Sequence, residues 1–397
     1  MIDFDFTKEC CGCGACVDTC PKACIKLKCS PYGYKIPEVN TDVCIGCNRC
    51  DKVCPILNTP RRTGYEHKVY SAYNKNPNLR DAGSSGSVFY LFATSIINKG
   101  GVVYGAAFDE HLQLRHTKAY DDESLKPLLK SKYIQSNTCG VYNNVKQDLI
   151  DGRSVLFVGT PCQTNALFNY IPSKYKGNLY IIDFICHGVP GQELFDKSIK
   201  YYEKRNKCHV ENFTFRVKGK KHSKYYNIDY TCKDGHKEKE TGKFSDNPYY
   251  RGYMLYHCFR QSCYRCKHLG TDRISDLTIA DFWGITKVNP KVTDIEKGYS
   301  MVITNSDKGQ YLLEQIKDNI YIDEYSINDA IINNSAYTKT TQDTIISRLF
   351  RFSFKYLPYN VTERFFMSHL LSIGIKITRK VRYANFANRI LKKCLKI

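Results

Sequence analysis

The chain has 397 residues, 42% of them hydrophobic and 25% charged, so it is long enough for two or three domains with cores of their own. It contains no apolar run of about 18 residues or more, and its N-terminus has no basic stretch followed by an apolar one. The sequence therefore predicts neither a transmembrane helix nor a secretory signal. The net charge of +20 is concentrated in residues 345–397, which hold twelve Lys and Arg and one acidic residue.

The cysteines of the first 60 residues form two runs of identical spacing. Each run reads Cys-x2-Cys-x2-Cys-x3-Cys-Pro, and the runs cover 10–21 and 44–55. In bacterial two-cluster ferredoxins, which have this spacing, the fourth Cys of one run binds the cluster of the other. We therefore predict two 4Fe–4S clusters, held by Cys10, Cys13, Cys16 and Cys54 and by Cys44, Cys47, Cys50 and Cys20. Zinc sites use Cys pairs and disulfide scaffolds are short secreted chains, so both alternatives are disfavoured.

Three further cysteines of this region, Cys11, Cys24 and Cys29, lie outside the ligand spacing. We expect them to be small buried residues. Because cluster thiolates need a reducing compartment, the cysteine content predicts a cytoplasmic protein. Between the two runs, alternating residues around Tyr32-Gly33 predict a β-hairpin.

After a polar linker at 58–67, strands and helices alternate. The pattern predicts a strand near Val69, a helix at 87–98, a strand at 102–108, a helix at 141–150, a strand at 154–158 and a helix from about 163. Such alternation predicts an α/β core. The Gly/Ser-rich stretch 83–87 before the first of these helices suits either a phosphate cradle or an ordinary N-cap, and the cap is the simpler interpretation.

Two cysteines directly follow apolar strands, Cys162 and Cys186. Ligands of open α/β sheets bind at that edge. Residues 211–244 alternate around an Asp234-Gly235 turn and predict a basic β-rich insertion. The pair Cys263-x2-Cys266 has metal-ligand spacing, open to zinc or iron–sulfur. A strand at about 276–280 follows.

The C-terminal residues 345–393 are helix-compatible, aromatic and basic. Such segments lie on an anionic membrane surface or pack on the main domain with solvated Lys and Arg side chains, and the sequence leaves both open. Nucleic-acid binding is disfavoured because no recognised binding fold accompanies the charge. Neither GxGxxG nor GxxxxGK[ST] occurs, so no dinucleotide-binding or P-loop motif is predicted.

From Val69 to about Asn305 the chain resembles the coenzyme F420 hydrogenase/dehydrogenase beta-subunit family, here behind a two-cluster ferredoxin module. The motifs that carry the resemblance are Ser84-Ser85-Gly86-Ser87, Ser131 to Ser136, Val158 to Gln163, Ile185 to Pro190, Cys263-Tyr264-Arg265-Cys266 and Asp276 to Gly284.

The resemblance implies an FAD-containing iron–sulfur protein. It places flavin contacts at Ser84, Ser85, Gly86, Ser87, Ser131, Lys132, Tyr133, Gly159, Thr160, Pro161 and Gln163. It also implies a candidate third 4Fe–4S cluster at Cys162, Cys186, Cys263 and Cys266, with Cys258 competing for a place. One departure is that the family often has Ser-Gly-Gly where this chain has Ser85-Gly86-Ser87.

The predicted fold class is α+β or α/β, with four parts. These are a ferredoxin module at 1–60, the N-terminal and C-terminal parts of a beta-subunit-like domain at 68–150 and 151–320, and a basic helical tail at 321–397. We expect an oxidoreductase that passes electrons between clusters and FAD to act on a small organic substrate. The resemblance extends to bacterial members encoded with surface-polysaccharide enzymes, and the catalytic residues and the use of the deazaflavin are left open.

The alternative is a non-catalytic electron-transfer subunit that docks on a partner enzyme. The expected partners are a redox protein of the ferredoxin or hydrogenase/dehydrogenase kind and a small-molecule substrate, without nucleic acid. Contact of the basic tail with a membrane surface would make the cytoplasmic protein peripheral.

Overall fold

The computed structural model describes residues 4–218 and 224–367. Its N-terminal module consists of α1 (Ala15–Thr19), β1 (Ile25–Cys29), β2 (Lys35–Val39) and α2 (Arg49–Val53). β1 and β2 pair antiparallel, and Gly33 supplies the positive φ of the turn, at 77°. The predicted hairpin is confirmed.

The two helices of the module end for the same reason. Each is followed by a Cys-Pro pair, and a residue before proline is disfavoured in the helical region. Cys20 and Cys54 are accordingly extended, with ψ of 112° and 118°. The fourth Cys of each run therefore leaves the path of the other three.

The remaining chain contains the following elements, in order. They are β3 (Lys68–Asn74), α3 (Pro77–Ala82), α4 (Val88–Ile97), β4 (Val102–Phe108), β5 (Leu114–Ala119), α5 (Asp122–Leu125), α6 (Val141–Ile150), β6 (Val155–Gly159), α7 (Pro161–Tyr170), β7 (Leu179–Phe184), α8 (Gln192–Asn206), β8 (Cys208–Val217), β9 (Tyr225–Cys232), β10 (Lys237–Lys243), α9 (Pro248–Met254), β11 (Leu277–Asp281), α10 (Ile285–Val288), β12 (Ser300–Thr304), α11 (Asp307–Ile316), β13 (Ile320–Tyr325), α12 (Ile327–Ile331), α13 (Ile345–Tyr356) and α14 (Tyr359–Thr362).

One eight-stranded mixed sheet organises this part, in the order β13-β3-β12-β11-β7-β6-β4-β5. The central strands β4, β6, β7 and β11 are parallel. The expected mixed α/β class is confirmed. β4 pairs with β6 and β3 with β12, so 68–150 and 151–320 share this sheet, and the predicted domain boundaries stay predictions.

The basic insertion is a separate three-stranded antiparallel sheet, β10-β9-β8. Its inner face carries Phe213, Phe215 and Tyr226, which pack on α8 and α9 in one apolar cluster. α13 joins that cluster through Phe350 and Phe354. Of the two alternatives left open for the basic tail, α13 therefore packs on the rest of the chain. Residues 368–397 of the predicted tail lie outside the described residues.

The N-terminal module packs directly on the main sheet. Ala15, Val53 and Ile56 share a hydrophobic core with Tyr142 and Phe157. Arg260 is only 1% exposed, and its guanidinium donates to the carbonyls of Cys10 and Lys35 at 3.0 and 2.7 Å. Both apolar burial and hydrogen bonds thus fix the module. Within the described ranges, no helix is both long and apolar enough to cross a membrane.

Candidate iron–sulfur and flavin site

The first predicted cysteine set comes together at the face of the module that meets the sheet. Cys13, Cys16 and Cys54 are buried and Cys10 is half-buried. Burial, with Cys10 and Cys54 beside it, raises the pKa of the Cys16 thiol. The backbone N–H of Gly12 donates to the sulfur of Cys10 at 3.2 Å. Four thiols therefore converge in a water-poor space, which fits a cluster.

The second set lines one small cavity near the surface. Its cysteines are Cys20, Cys44, Cys47 and Cys50, and Cys24 lies on the same cavity. The sulfurs of Cys20 and Cys24 are 3.3 Å apart, and this contact raises the pKa of Cys24 to about 11. Cys24 is buried as expected, but it contacts a predicted ligand rather than only apolar neighbours.

The third set also converges, past the carboxyl ends of the parallel strands. Burial and the neighbouring sulfurs of Cys263, Cys162 and Cys266 raise the pKa of the Cys186 thiol. Burial likewise raises the pKa of Cys263 to about 12 and that of Cys266 to about 11. These thiols reach one place from two strand ends and the Cys-x2-Cys turn, as the resemblance implies.

Cys258 is held apart from this third set. Its side chain is 0% exposed, and its carbonyl accepts from the hydroxyl of Tyr34 at 3.0 Å. Its neighbours are the tyrosines Tyr34, Tyr249 and Tyr264. These neighbours do not support Cys258 as an alternative ligand of the third cluster.

Cys11 has a more specific position than the sequence indicates. It is buried, and its thiol contacts those of both Cys13 and Cys162. It therefore lies between the first and third sets. Its spacing alone gives no such signal, because the contact with Cys162 is long-range.

Cys29 is exposed, so the burial expected for it is wrong. It ends β1, and its thiol donates to Glu193 Oε2 at 2.6 Å. The polar partner comes from α8, which the sequence around Cys29 does not reveal.

The described cysteines are all free thiols. Among residues 4–218 and 224–367, no three His, Cys, Asp or Glu side chains adopt the arrangement of a site for a metal ion. The donor chemistry of the three sets, four thiols each, is that of cluster ligands.

The Ser84–Ser87 motif lies against the main sheet, at the N-terminus of α4. The backbone N–H of Ser131 donates to Ser84 Oγ at 2.9 Å, which joins two of the predicted flavin motifs. Ser85 Oγ donates to the carbonyl of Tyr299 at 2.5 Å. A Cβ on Gly86 would lie 2.2 Å from the carbonyl of Ala72, so this glycine is required by backbone packing.

Ser87 precedes α4 but does not cap it. Its φ is 61°, and its side chain makes no capping bond. The hydroxyl is buried, with the residue 3% exposed, and has no partner within the described part of the chain. The simple cap predicted from sequence is wrong. A buried hydroxyl without a partner beside a helix N-terminus fits a phosphate oxygen as ligand.

The other predicted flavin residues are mostly engaged by the protein. Lys132 Nζ donates to the carbonyls of Pro127 and Leu129 at 2.7 and 2.6 Å, and burial lowers its pKa to about 7. Tyr133 stacks on Tyr253, with ring centroids 4.2 Å apart.

The motif after β6 is equally occupied. The backbone N–H of Thr160 donates to Gln163 Oε1 at 3.1 Å, while Gln163 Nε2 donates to Ser136 Oγ at 3.0 Å. Gly159 ends β6, and Pro161 opens α7. Gln163 therefore orders the turn that carries Cys162, and its side chain has little left to offer a flavin.

An ion pair that sequence reasoning missed lies at the same edge of the sheet. Arg216 sits at a β-bulge with φ of 56° and forms a bidentate pair with Asp281, one bond of which is 2.8 Å. Its guanidinium lies 5.9 Å from the ring of Trp283, which is 36% exposed. Bulges often re-aim side chains beside active sites. The Asp281–Gly284 motif is the signal, but its partner comes from the insertion.

Comparison with known proteins identifies the region around these residues. Residues 152–330 match the family model for the C-terminal part of the beta subunit of coenzyme F420 hydrogenase/dehydrogenase. The resemblance to the beta-subunit family is therefore confirmed. β6, α7, β7, β11 and the cysteines of the third set belong to the matched region.

Among solved structures, the chain is similar to a chain of the xenon-derivatised F420-reducing [NiFe] hydrogenase complex from Methanosarcina barkeri. The identity is 11% and the TM-score 0.42, over 77% of this chain and 93% of that chain. Comparison with curated proteins gave no match.

Proposed function

We propose that the chain is an iron–sulfur flavoprotein oxidoreductase of the hydrogenase/dehydrogenase type. The observation that carries this proposal is the convergence of three sets of four cysteines, the third inside the region that matches the beta-subunit family. Thiolates are the ligands of 4Fe–4S clusters, and each bound cluster supplies one-electron transfer.

The proposed ligands are Cys10, Cys13, Cys16 and Cys54, then Cys20, Cys44, Cys47 and Cys50, then Cys162, Cys186, Cys263 and Cys266. The chain supports them with hydrogen bonds to sulfur. The N–H of His268 donates to Cys266 at 3.4 Å, and Thr160 Oγ1 lies 3.2 Å from the sulfur of Cys162. Such bonds stabilise thiolates and tune cluster potentials.

FAD is the proposed second cofactor, which couples two-electron to one-electron chemistry. The fit is strongest at Ser84–Ser87. There the hydroxyl of Ser87, which has no partner among the described residues, and the N-terminus of the ten-residue α4 would both stabilise a bound negative group. It is weaker at Lys132 and Gln163, because the protein already uses their polar atoms.

The substrate and the location belong to the same proposal. Following the resemblance, we infer a small organic substrate in surface-polysaccharide metabolism and a cytoplasmic protein. A non-catalytic electron-transfer subunit is the second candidate, and the solvent exposure of Cys47 favours it because an exposed cluster ligand suits exchange with another protein.

Anaerobic measurement of iron and flavin tests the proposal. We expect about twelve irons, at four per cube, and one FAD per chain. About eight irons would remove the third cluster, and a folded protein without iron or flavin affinity would contradict the whole proposal. Turnover of the isolated chain with a chemical reductant and candidate acceptors would exclude the non-catalytic alternative.

A further inference from the structure

The three cysteine sets differ in their access to solvent. In the first set, Cys13, Cys16 and Cys54 are at most 8% exposed. The cysteines of the third set are half-buried. Among the twelve predicted ligands, only Cys47 is exposed. The second set is therefore the one that a partner can approach from solvent.

An exposed aliphatic side chain lies at the rim of the cavity that the second set lines. Ile45, between Cys44 and Cys47, lines this cavity and is 60% exposed, more than any other aliphatic side chain in the described ranges. Val43, two residues earlier, is 44% exposed. An aliphatic side chain left in water beside a candidate cofactor suits a protein interface, where its burial contributes to binding.

The charged residues on this rim are both cations. Lys22 and Arg49 line the cavity and are exposed, and no acidic residue of the described chain lines it. We call the surface formed by the cavity-lining residues Lys22, Ile45 and Arg49 the Ile45 face. Cations around an apolar centre attract an acidic partner and raise its association rate.

We propose that the Ile45 face docks an acidic one-electron carrier protein of the ferredoxin type. This rests on the proposed function, because it requires a cluster at Cys20, Cys44, Cys47 and Cys50. In each encounter the reduced carrier loses one electron and the chain gains it at this cysteine set. No bond is made or broken and no proton moves, so electron transfer requires only that the carrier can approach this cysteine set closely from solvent.

The test uses the anaerobically purified full chain and an acidic two-cluster bacterial ferredoxin as the probe. Binding of the oxidised proteins is measured by calorimetry, and electron transfer from reduced ferredoxin by stopped-flow absorbance. For Ile45→Ser and for the double variant Lys22→Glu/Arg49→Glu, we expect at least tenfold weaker binding and a similar loss in the second-order rate constant. The double variant should also lose most of the ionic-strength dependence of that rate.

Matched substitutions elsewhere provide the controls. Ile332, directly after α12, is 56% exposed, and Lys204 is exposed near the end of α8. Ile332→Ser and Lys204→Glu should leave binding and rate unchanged. The docking proposal is overturned if every variant of the Ile45 face binds ferredoxin with the affinity of the wild-type chain. It is also overturned if the iron-loaded wild-type chain does not bind ferredoxin.

Iron content and reduction by dithionite separate this result from failure of the proposed function. A chain that lacks iron contradicts the proposed clusters themselves. The docking surface alone is contradicted if every variant contains iron and is reduced by dithionite at the wild-type rate, but changes at the Ile45 face alter neither the affinity for ferredoxin nor the rate of electron transfer from it.

Discussion

The guanidinium of Arg260 donates a hydrogen bond of 3.0 Å to the carbonyl of Cys10, the first predicted ligand of the first cluster. A second bond reaches Lys35 O and a third Gln135 Oε1, at 2.7 and 3.0 Å. Gln135 in turn donates to the carbonyl of Cys11 at 2.7 Å. A single buried cation thus fixes the backbone of the cysteine run against the main sheet.

Arg260→Met should therefore destabilise the junction of module and sheet. Hydrogen bonds to a charged group contribute about 1.5–3 kcal/mol each, so we expect the loss of all three to cost at least about 4 kcal/mol. The midpoint of denaturant unfolding and the retained iron measure the effect. Arg205→Met in α8 is the matched control at an exposed position, and an equal loss in both variants would contradict the role of Arg260.

The pair of Arg273 and Asp183 gives a prediction with a pH dependence. Their 3.0 Å ion pair is almost fully buried, with side chains 3% and 2% exposed. Arg273→Met leaves the carboxylate without its cation, which costs about 3–5 kcal/mol. Denaturant unfolding measures this cost, and Arg273→Met/Asp183→Asn should recover much of it.

The sign of the pH effect follows from the pKa of Asp183, which burial raises above its usual value. The folded state then holds the proton more tightly than the unfolded state. Stability is greatest below the ordinary pKa of Asp and falls as pH rises through the folded value. Removing Arg273 raises that value further, so Arg273→Met should be less destabilising at pH 5 than at pH 8. An equal penalty at both pH values would contradict this account.

The ligand assignment of the third cysteine set can be tested by comparing a substitution of Cys186 with one of Cys258. Cys186→Ser should lower the iron content by about four per chain, since one cube holds four irons. Cys258→Ala should leave it unchanged, because Cys258 is enclosed by tyrosines rather than by the other thiols. Iron analysis with EPR of the reduced proteins measures both, and loss of four irons only from Cys258→Ala would reverse the assignment.

Ser87→Ala tests the flavin cradle. Because a hydrogen bond to a charged group contributes about 1.5–3 kcal/mol, the FAD dissociation constant should rise about tenfold to a hundredfold. Folding stability should not fall, since the buried hydroxyl has no partner among the described residues. Quenching of flavin fluorescence measures affinity. Ser95→Ala is the control, because Ser95 Oγ donates to the carbonyl of Phe92 within the helix; unchanged affinity in Ser87→Ala would count against phosphate at this position.

Elements with a clear local pattern could be predicted from sequence. β4 and α6 begin and end at the predicted residues, because their apolar periodicity is strong and glycines lie beside them. The ligand spacing is also local, as is the Asp234-Gly235 turn between β9 and β10. Each of these features depends on residues close together in the chain.

The rest depends on contacts between distant residues. Arg260 meets Cys10 across 250 positions, and its partners are backbone carbonyls that leave no trace in side-chain composition. Ser87 has the composition of a cap, but its positive φ directs its hydroxyl elsewhere. Arg216 could not be paired with Asp281 from sequence, because a bulge in the insertion sets its direction.

Several strand pairs of the main sheet join residues inside the family match to residues outside it. The family match covers residues 152–330, yet β6 inside it pairs with β4 outside it, and both β12 and β13 pair with β3. A fragment cut at those borders would expose the hydrogen-bonding edges of three strands, which are sites for aggregation. The segment that matches the family model is therefore smaller than the unit whose strands pair in one sheet, and β3, the strand just after the cysteine module, completes that unit.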